Sequence, residues 1–170
     1  MVMKTTPTFS ETQRFDQWWV WAIILITPAF LLILLIRDWD SFNFGASMGA
    51  KEWVFTLIFV LIAASIIFLK VLRLETRIDK EGVKVRFFPI HRTFFEYPWN
   101  RIEEAYVRKY SPMMEYGGWG LRFSHKGTAY NVKGNMGLQL KIDQGGRTKK
   151  LLIGTQKAEE LQKVLNELEV

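Results

Sequence analysis

The sequence of 170 residues offers few of the side chains that usually carry catalytic chemistry. It contains no cysteine, and its two histidines, His91 and His125, both fall in predicted turns. Neither histidine belongs to the HxxxH or HExxH spacing that places two metal ligands on one face of a helix. Glu103 and Glu104 are adjacent on a predicted strand, so they point to opposite faces and form no acid/base pair. We therefore predict no metal site and no catalytic residues.

Signatures for nucleotide or cofactor binding are missing from the sequence as well. Glycines cluster at 117–120 and at 134–137, but no helix is predicted after either cluster to present its N-terminus to a phosphate. Turns or bulges explain such glycines better. The sequence therefore predicts no cofactor and no enzyme activity.

The first candidate for recognition is the segment YSPMMEY at 110–116. Methionine adapts to irregular partners, and tyrosine suits the wet rim of an interface. Met113, Met114 and Tyr116, with Trp119 beyond them, are therefore predicted to contact a partner or a lipid surface. The alternative is that these side chains are tucked beneath the domain.

The second candidate for recognition is a basic patch near predicted strand ends, suited to the phosphate groups of lipid. Its members are Arg122, Lys133, Arg147, Lys149 and Lys150. The alternative is that these cations are ordinary solvated surface charges. Nucleic acid is not an expected partner, because most aromatic side chains of this region fall where a small β core needs them.

Two long apolar segments precede these candidates. Residues 18–36 carry no charge, and Lys70 is the only charged residue at 53–72. At ~1.5 Å rise per residue each helix approaches the ~30 Å hydrocarbon core, so both are predicted to be transmembrane helices. Small residues at 63–65 allow a homo-oligomer through close helix packing. The predicted membrane-interface anchors are Trp18, Trp19, Trp21, Trp39, Trp53, Lys70 and Arg73.

The distribution of charge sets the predicted orientation. The formal net charge of +6 arises entirely at 73–170, because five basic and five acidic side chains balance at 1–72. Basic residues after the second apolar segment place both termini in the cytoplasm of a multi-pass inner (plasma) membrane protein. The predicted organisation is a polar N-terminal tail at 1–17, transmembrane helices at 18–36 and 53–72, an extracytoplasmic loop at 37–52 and a cytoplasmic domain at 73–170.

Hydrophobic alternation predicts a β-rich domain after the second helix. Apolar and polar residues alternate at 74–79 and at 83–88 on either side of a turn, which predicts a hairpin. Further short strands are predicted up to 149–153. The period then changes, because one stripe of a C-terminal helix is formed by Ala158, Leu161, Leu165 and Leu168, with Val164 beside them. About seven mostly antiparallel strands and one amphipathic helix are predicted.

Several segments of the chain resemble a known family. Residues 18–168 resemble bacterial membrane proteins that carry a pleckstrin-homology-like (PH-like) domain after a two-helix anchor; the segments are IDKEGVKVRFFP, PWNRI, YGGWGLR, NVKGNMGLQLKI and IGTQKAEELQKVL. The resemblance implies a transmembrane hairpin followed by a bent sheet or small barrel closed by the C-terminal helix. Because such families are largely uncharacterised, it implies no activity.

The function predicted from these features is that of a membrane-anchored binding or scaffold module at the cytoplasmic face of a bacterial inner membrane. Its expected partners are the lipid bilayer and a protein bound through a sheet edge or groove, with a second copy of the chain as a further possibility. The alternatives are an anionic-lipid-sensing module and an accessory subunit of a membrane enzyme or transporter. Neither apolar segment carries the buried ionisable residue expected of an ion path, which disfavours the last alternative.

Overall fold

The computed structural model describes residues 8–37 and 49–168, apart from the side chains at 23, 27, 31, 34, 35, 49–52, 54 and 55. The chain divides into two compact units. Phe15–Val71 is the helical unit, and Met1–Arg14 together with Leu72–Val170 form the β unit. The β unit is thus assembled from two separate segments of the chain.

The helical unit contains α1 (Trp18–Arg37) and α2 (Gly49–Val71). Most large apolar side chains described on these helices, such as Ile26 and Phe59, are exposed. The Ser65 hydroxyl donates to the Leu61 carbonyl at 2.7 Å, which satisfies this polar side chain within its own helix.

The predicted transmembrane hairpin is wrong. In the part of the chain that the structure describes, no helix has both the length and the continuous apolar character needed to cross a bilayer. The prediction rested on unbroken apolar runs in the sequence. Several side chains of these runs, at 23, 27, 31, 34 and 35 of α1 and at 54 and 55 of α2, lie outside the described residues.

Two further predictions depended on the transmembrane hairpin and are wrong for the same reason. These are the cytoplasmic termini and the multi-pass localisation in an inner membrane. The predicted extracytoplasmic loop at 37–52 lies mostly outside the described residues. The predicted anchors Trp18, Trp19 and Trp53 are exposed, whereas Trp39 lies outside the described residues. Trp21 and Lys70 lie on α1 and α2, and Arg73 begins a strand. The anchoring role of all these residues presupposed the two spans.

A four-stranded antiparallel sheet begins the β unit, in the order β1-β2-β3-β4. Its strands are β1 (Phe9–Arg14), β2 (Arg73–Ile78), β3 (Gly82–Phe88) and β4 (Phe95–Pro98). Alternation places Leu74 and Ile78 of β2 in the core, together with Val83 and Val85 of β3. A 3-10 turn, Trp99–Arg101, leads to the second sheet.

The second sheet has five strands in the order β5-β8-β9-β7-β6. The strands are β5 (Ile102–Lys109), β6 (Gly120–Ser124), β7 (Gly127–Asn131), β8 (Met136–Asp143) and β9 (Thr148–Thr155). A five-residue helix, α3 (Pro112–Tyr116), connects β5 to β6, and α4 (Ala158–Glu167) follows β9. Leu161, Val164 and Leu165 of α4 are buried, as the helical stripe predicted.

The predicted fold class is therefore wrong as a whole, although its β portion lies where alternation placed it. Nine described strands form two sheets without a transmembrane hairpin. The sheets are not entirely antiparallel, since β7 pairs with β9 in parallel. The ninth strand is β1, which occupies part of the predicted polar tail at 1–17.

The first strand is held to the second sheet by buried polar side chains. The Thr155 hydroxyl donates to Oε2 of Glu11 at 2.6 Å, and the backbone N–H of Gln156 donates to Oε1 at 2.8 Å. Nε2 of Gln13 donates to the Gly154 carbonyl at 2.6 Å. Because Glu11 and Gln13 are both buried, these hydrogen bonds connect the two sheets away from water.

Candidate functional site

The segment at 110–116, the first candidate for recognition, contains α3. Ser111 caps its N-terminus by accepting a hydrogen bond from the Met114 backbone N–H, and Pro112 occupies the first turn, where no backbone donor is lost. Gly117 ends the helix in the left-handed conformation at φ 71°, and its N–H donates to the Met113 carbonyl. The sequence Ser-Pro…Gly therefore fixes both ends of this single turn.

An ion pair with two hydrogen bonds fastens α3 to β5. Nη2 of Arg108 donates to Oε2 of Glu115 at 2.8 Å, and Nη1 donates to Oε1 at 3.2 Å. The same carboxylate accepts the Ser111 backbone N–H at 2.9 Å. The fork of Arg108 is therefore matched to both oxygens of Glu115.

The ion pair also affects the titration of its carboxylate. Hydrogen bonding to Arg108 outweighs burial and holds the pKa of Glu115 below its ordinary value of 4.5. Because the pKa of Glu115 is lower in the folded state, the ion pair stabilises the fold at pH values above 4.5. This stabilisation is lost as the pH falls through the folded-state pKa.

Two tyrosines form the base of this segment. Tyr110 and Tyr116 are buried with their rings edge to face and 6.1 Å between centroids, and they pack with Ala129 and Leu152. Gly154 lies close to both Asn131 and Tyr110, because a Cβ at residue 154 would lie 3.0 Å from the Asn131 Cβ and 3.3 Å from the Tyr110 hydroxyl. Burial raises the pKa of both phenols, so both stay protonated at neutral pH.

The outer surface of the segment consists of two methionines. Met113 is 60% exposed and Met114 is 84% exposed, although Tyr110, Pro112 and Tyr116 around them are buried. We call residues 110–118 the methionine knob. Its caps, ion pair and tyrosine base hold two adaptable apolar side chains in water at a fixed position.

The knob lies against β6, which forms one edge of the five-stranded sheet. Arg122 of β6 is paired with Ala129, so it shares the face of the sheet on which the tyrosine base packs. Phe123 points to the opposite face and is 76% exposed. Apolar side chains therefore flank this edge on both faces.

The other described sheet edges are better protected than β6. Helix α4 packs against β5, which also has an irregular register between Ile102 and Glu104. β4 has four residues and ends in Pro98, and β1 is tied to residues 154–156. Bulges, prolines and covering helices are the usual protection of exposed edges. β6 contains no proline and pairs in a regular register, and α3 beside it is a single turn.

The residues predicted for this region divide into those that reach its surface and those that support it. Met113 and Met114 reach solvent, whereas Tyr116 lies in the base. Trp119 donates from Nε1 to the Gly134 carbonyl at 3.3 Å, and its own carbonyl accepts from Nε of Arg122 at 2.9 Å. Trp119 and Arg122 thus position the chain between α3 and β6.

The predicted basic patch is not a single surface. Lys149 and Lys150 are neighbours on β9 and point to opposite faces of the sheet. Arg147 lies at the tip of the β8–β9 hairpin, and the Lys133 carbonyl accepts from Nε2 of Gln156 at the opposite end of β9. Strand alternation therefore separates Lys149 from Lys150, and the length of β9 separates Arg147 from Lys133.

Several features of the region were not predicted from the sequence. Arg108 and Glu115 lie on different elements, and Phe123 resembled any other strand residue until its edge position was known. The ring centroids of His91 and Phe95 lie 4.7 Å apart, and burial lowers the pKa of His91. No three His, Cys, Asp or Glu side chains converge as metal ligands within the described residues.

No protein family model, no curated protein and no solved structure matches this chain. The resemblance to PH-like proteins therefore stays a prediction.

Proposed function

We propose that the protein is a peptide-binding module that adds an extended segment of a protein partner to the edge of its five-stranded sheet at β6. The observation that carries this proposal is the exposed edge of β6 beside the methionine knob. In β-augmentation, main-chain hydrogen bonds supply affinity and the flanking side chains supply specificity. Met113, Met114 and Phe123 are the exposed apolar side chains that would supply specificity here.

The two faces of the edge would accept different side chains. Successive residues of an added strand alternate between faces, so one set would lie near Phe123 and the other near Arg122 and the knob. An apolar side chain suits the Phe123 face. An acidic side chain, or an apolar one in contact with Met113 or Met114, suits the other face.

Charge favours an acidic partner. Arg122 lies on the strand itself, and Lys126 follows at the exposed tip of the β6–β7 hairpin. Lys126 is also close enough to contribute to the lowered pKa of Glu115. Positive charge at an edge steers acidic segments toward it and discriminates against basic ones.

Selection from a library of random ten-residue peptides tests the proposal. The full chain is kept in a mild non-ionic detergent, because its helical unit exposes large apolar side chains. We expect recovered peptides to alternate apolar with acidic residues. Fluorescence polarisation should show that Phe123→Ser weakens their binding about ten- to hundredfold, the equivalent of losing one buried aromatic contact of roughly 1.5–3 kcal/mol.

Phe95→Ser is the matched control, since Phe95 is also an exposed phenylalanine but lies on β4 of the other sheet. It should change affinity less than twofold, and circular dichroism should be the same for both variants. Failure to recover any binding peptide, or equal losses in the two variants, would contradict β-augmentation at β6.

A further inference from the structure

Three arginines converge on one carboxylate on the four-stranded sheet, whereas β6 belongs to the five-stranded sheet. Nε of Arg73 donates to Oε1 of Glu75 at 2.6 Å, whereas Nε and Nη2 of Arg86 donate to Oε2 at 3.0 and 2.8 Å. Nη2 of Arg77 approaches the same carboxylate only to 4.0 Å. We call this surface, including Phe88 and Phe94, the arginine face.

Two phenylalanine rings hold the guanidinium groups in place. The guanidinium carbon of Arg73 lies 4.7 Å from the Phe88 ring centroid, and that of Arg77 lies 4.7 Å from the Phe94 centroid. The guanidinium of Arg86 is 4.4 Å from the Phe94 centroid. Stacking on aromatic rings fixes the planes of arginine side chains and reduces the entropy lost when they bind an anion.

The arginine face has more positive charge than its own carboxylate neutralises. Three guanidinium groups surround the single carboxylate of Glu75, which leaves two positive charges. On the same sheet, Lys84 has two carboxylate partners, Asp79 at 2.9 Å and Glu81 at 3.0 Å. Lys84, which lies opposite Arg77 in the register, therefore adds no surplus positive charge to this face.

Within the part of the chain that the structure describes, hydrogen-bond donors also remain available on this surface. Glu75 occupies one of the five N–H groups of Arg73, and its contact with Arg77 is longer than a hydrogen bond. The side chain of Arg77 is 48% exposed. Both arginines belong to β2 and lie on either side of Glu75 on one face of the sheet.

The carboxylate of Glu75 is ionised at its position between the arginines. Burial alone would raise the pKa of Glu75, but hydrogen bonds from Arg73 and Arg86 outweigh burial and place the pKa below its ordinary value. Glu75 is therefore ionised at neutral pH and acts as a fixed anchor between the arginines.

We propose that the arginine face binds a phosphomonoester dianion between Arg73 and Arg77, with Glu75 and the two phenylalanines holding the guanidinium groups in position. A phosphomonoester carries about −1.5 to −2 charge at pH 7, which matches the two unneutralised positive charges of the face. Its oxygens also match the forked donors of arginine. The site is independent of the peptide-binding edge at β6.

Calorimetric titration of the full chain in non-ionic detergent at pH 7.5 tests this site. The probes are inorganic phosphate, glycerol 1-phosphate and O-phosphoserine, which distinguish free phosphate from the lipid and protein sources of the same group. Dimethyl phosphate, a monoanion, should bind at least about tenfold more weakly than these probes because it has lost one charge. Its binding with equal affinity would contradict recognition of a dianion.

Arg77→Gln should weaken binding of the best probe by about tenfold, the loss expected of one charge-assisted contact. Arg147→Gln removes the same charge from an exposed hairpin tip and should change the affinity less than twofold. Arg77→Gln should keep the circular dichroism spectrum, since Arg77 makes no short hydrogen bond to Glu75. Equal weakening in the two variants, or no saturable binding of any probe up to millimolar concentration, would overturn the proposal.

Discussion

Replacing Gly127 with alanine is expected to lower the free energy of unfolding of the β unit by about 2–5 kcal/mol. Gly127 has φ +115°, a conformation that L side chains rarely adopt. A Cβ there would lie 2.3 Å from the backbone oxygen of Lys150 and 2.8 Å from its Cβ. The backbone of β9 cannot move aside easily, because β9 is paired with β8 on one side and β7 on the other.

Gly145→Ala provides the matched control for this substitution. Gly145 also has a positive φ, +70°, and lies in a hairpin turn, but no neighbouring atom lies within 4 Å of the position that an added Cβ would take. The substitution should cost only the strain of the left-handed conformation, about 1–2 kcal/mol. Pulse proteolysis in urea, followed through fragments of the β unit, measures both values; equal losses would show that the approach of Lys150 is not limiting.

Replacing Glu11 with alanine is expected to destabilise the β unit by about 3–6 kcal/mol, since it removes two hydrogen bonds to a carboxylate that contribute roughly 1.5–3 kcal/mol each. The substitution removes the acceptor of the Thr155 hydroxyl and of the Gln156 backbone N–H. Two donors at the junction of the sheets would then lack their partner, and β1 would lose its main polar attachment to the second sheet.

Thr12→Ala serves as the control for Glu11, because Thr12 is the next residue of β1 and is exposed. It should change stability by less than about 0.5 kcal/mol, as is usual for surface positions. Urea pulse proteolysis again provides the comparison. If Glu11→Ala were as stable as Thr12→Ala, the buried carboxylate would not hold the first strand in place.

The missed strand β1 shows where hydrophobic alternation fails as a signal. Phe9, Glu11 and Gln13 are buried in strict alternation with exposed residues, but two of the three are polar. Their partners at 154–156 are distant in sequence, so nothing local indicated that these polar side chains are buried. The strands between 73 and 155 were predictable because their buried residues are mostly apolar.

The candidate site was predictable only in part. Met113 and Met114 could be singled out by composition, and Ser111, Pro112 and Gly117 are helix-boundary signals that could also have predicted α3. The edge position of β6 depends on the order in which five strands pair, which alternation does not determine. The arginine face depends similarly on the register that brings Arg86 opposite Glu75.

The most direct test of β-augmentation is hydrogen–deuterium exchange of the full chain with and without a selected peptide. Backbone N–H groups on the outer side of β6 exchange with solvent when the edge is unpaired and become donors when a strand is added. We predict slower exchange in Gly120–Ser124 on peptide binding, with Phe95–Pro98 of β4 unchanged. Peptide binding that leaves exchange in β6 unchanged, or that protects β4 instead, would contradict strand addition at β6.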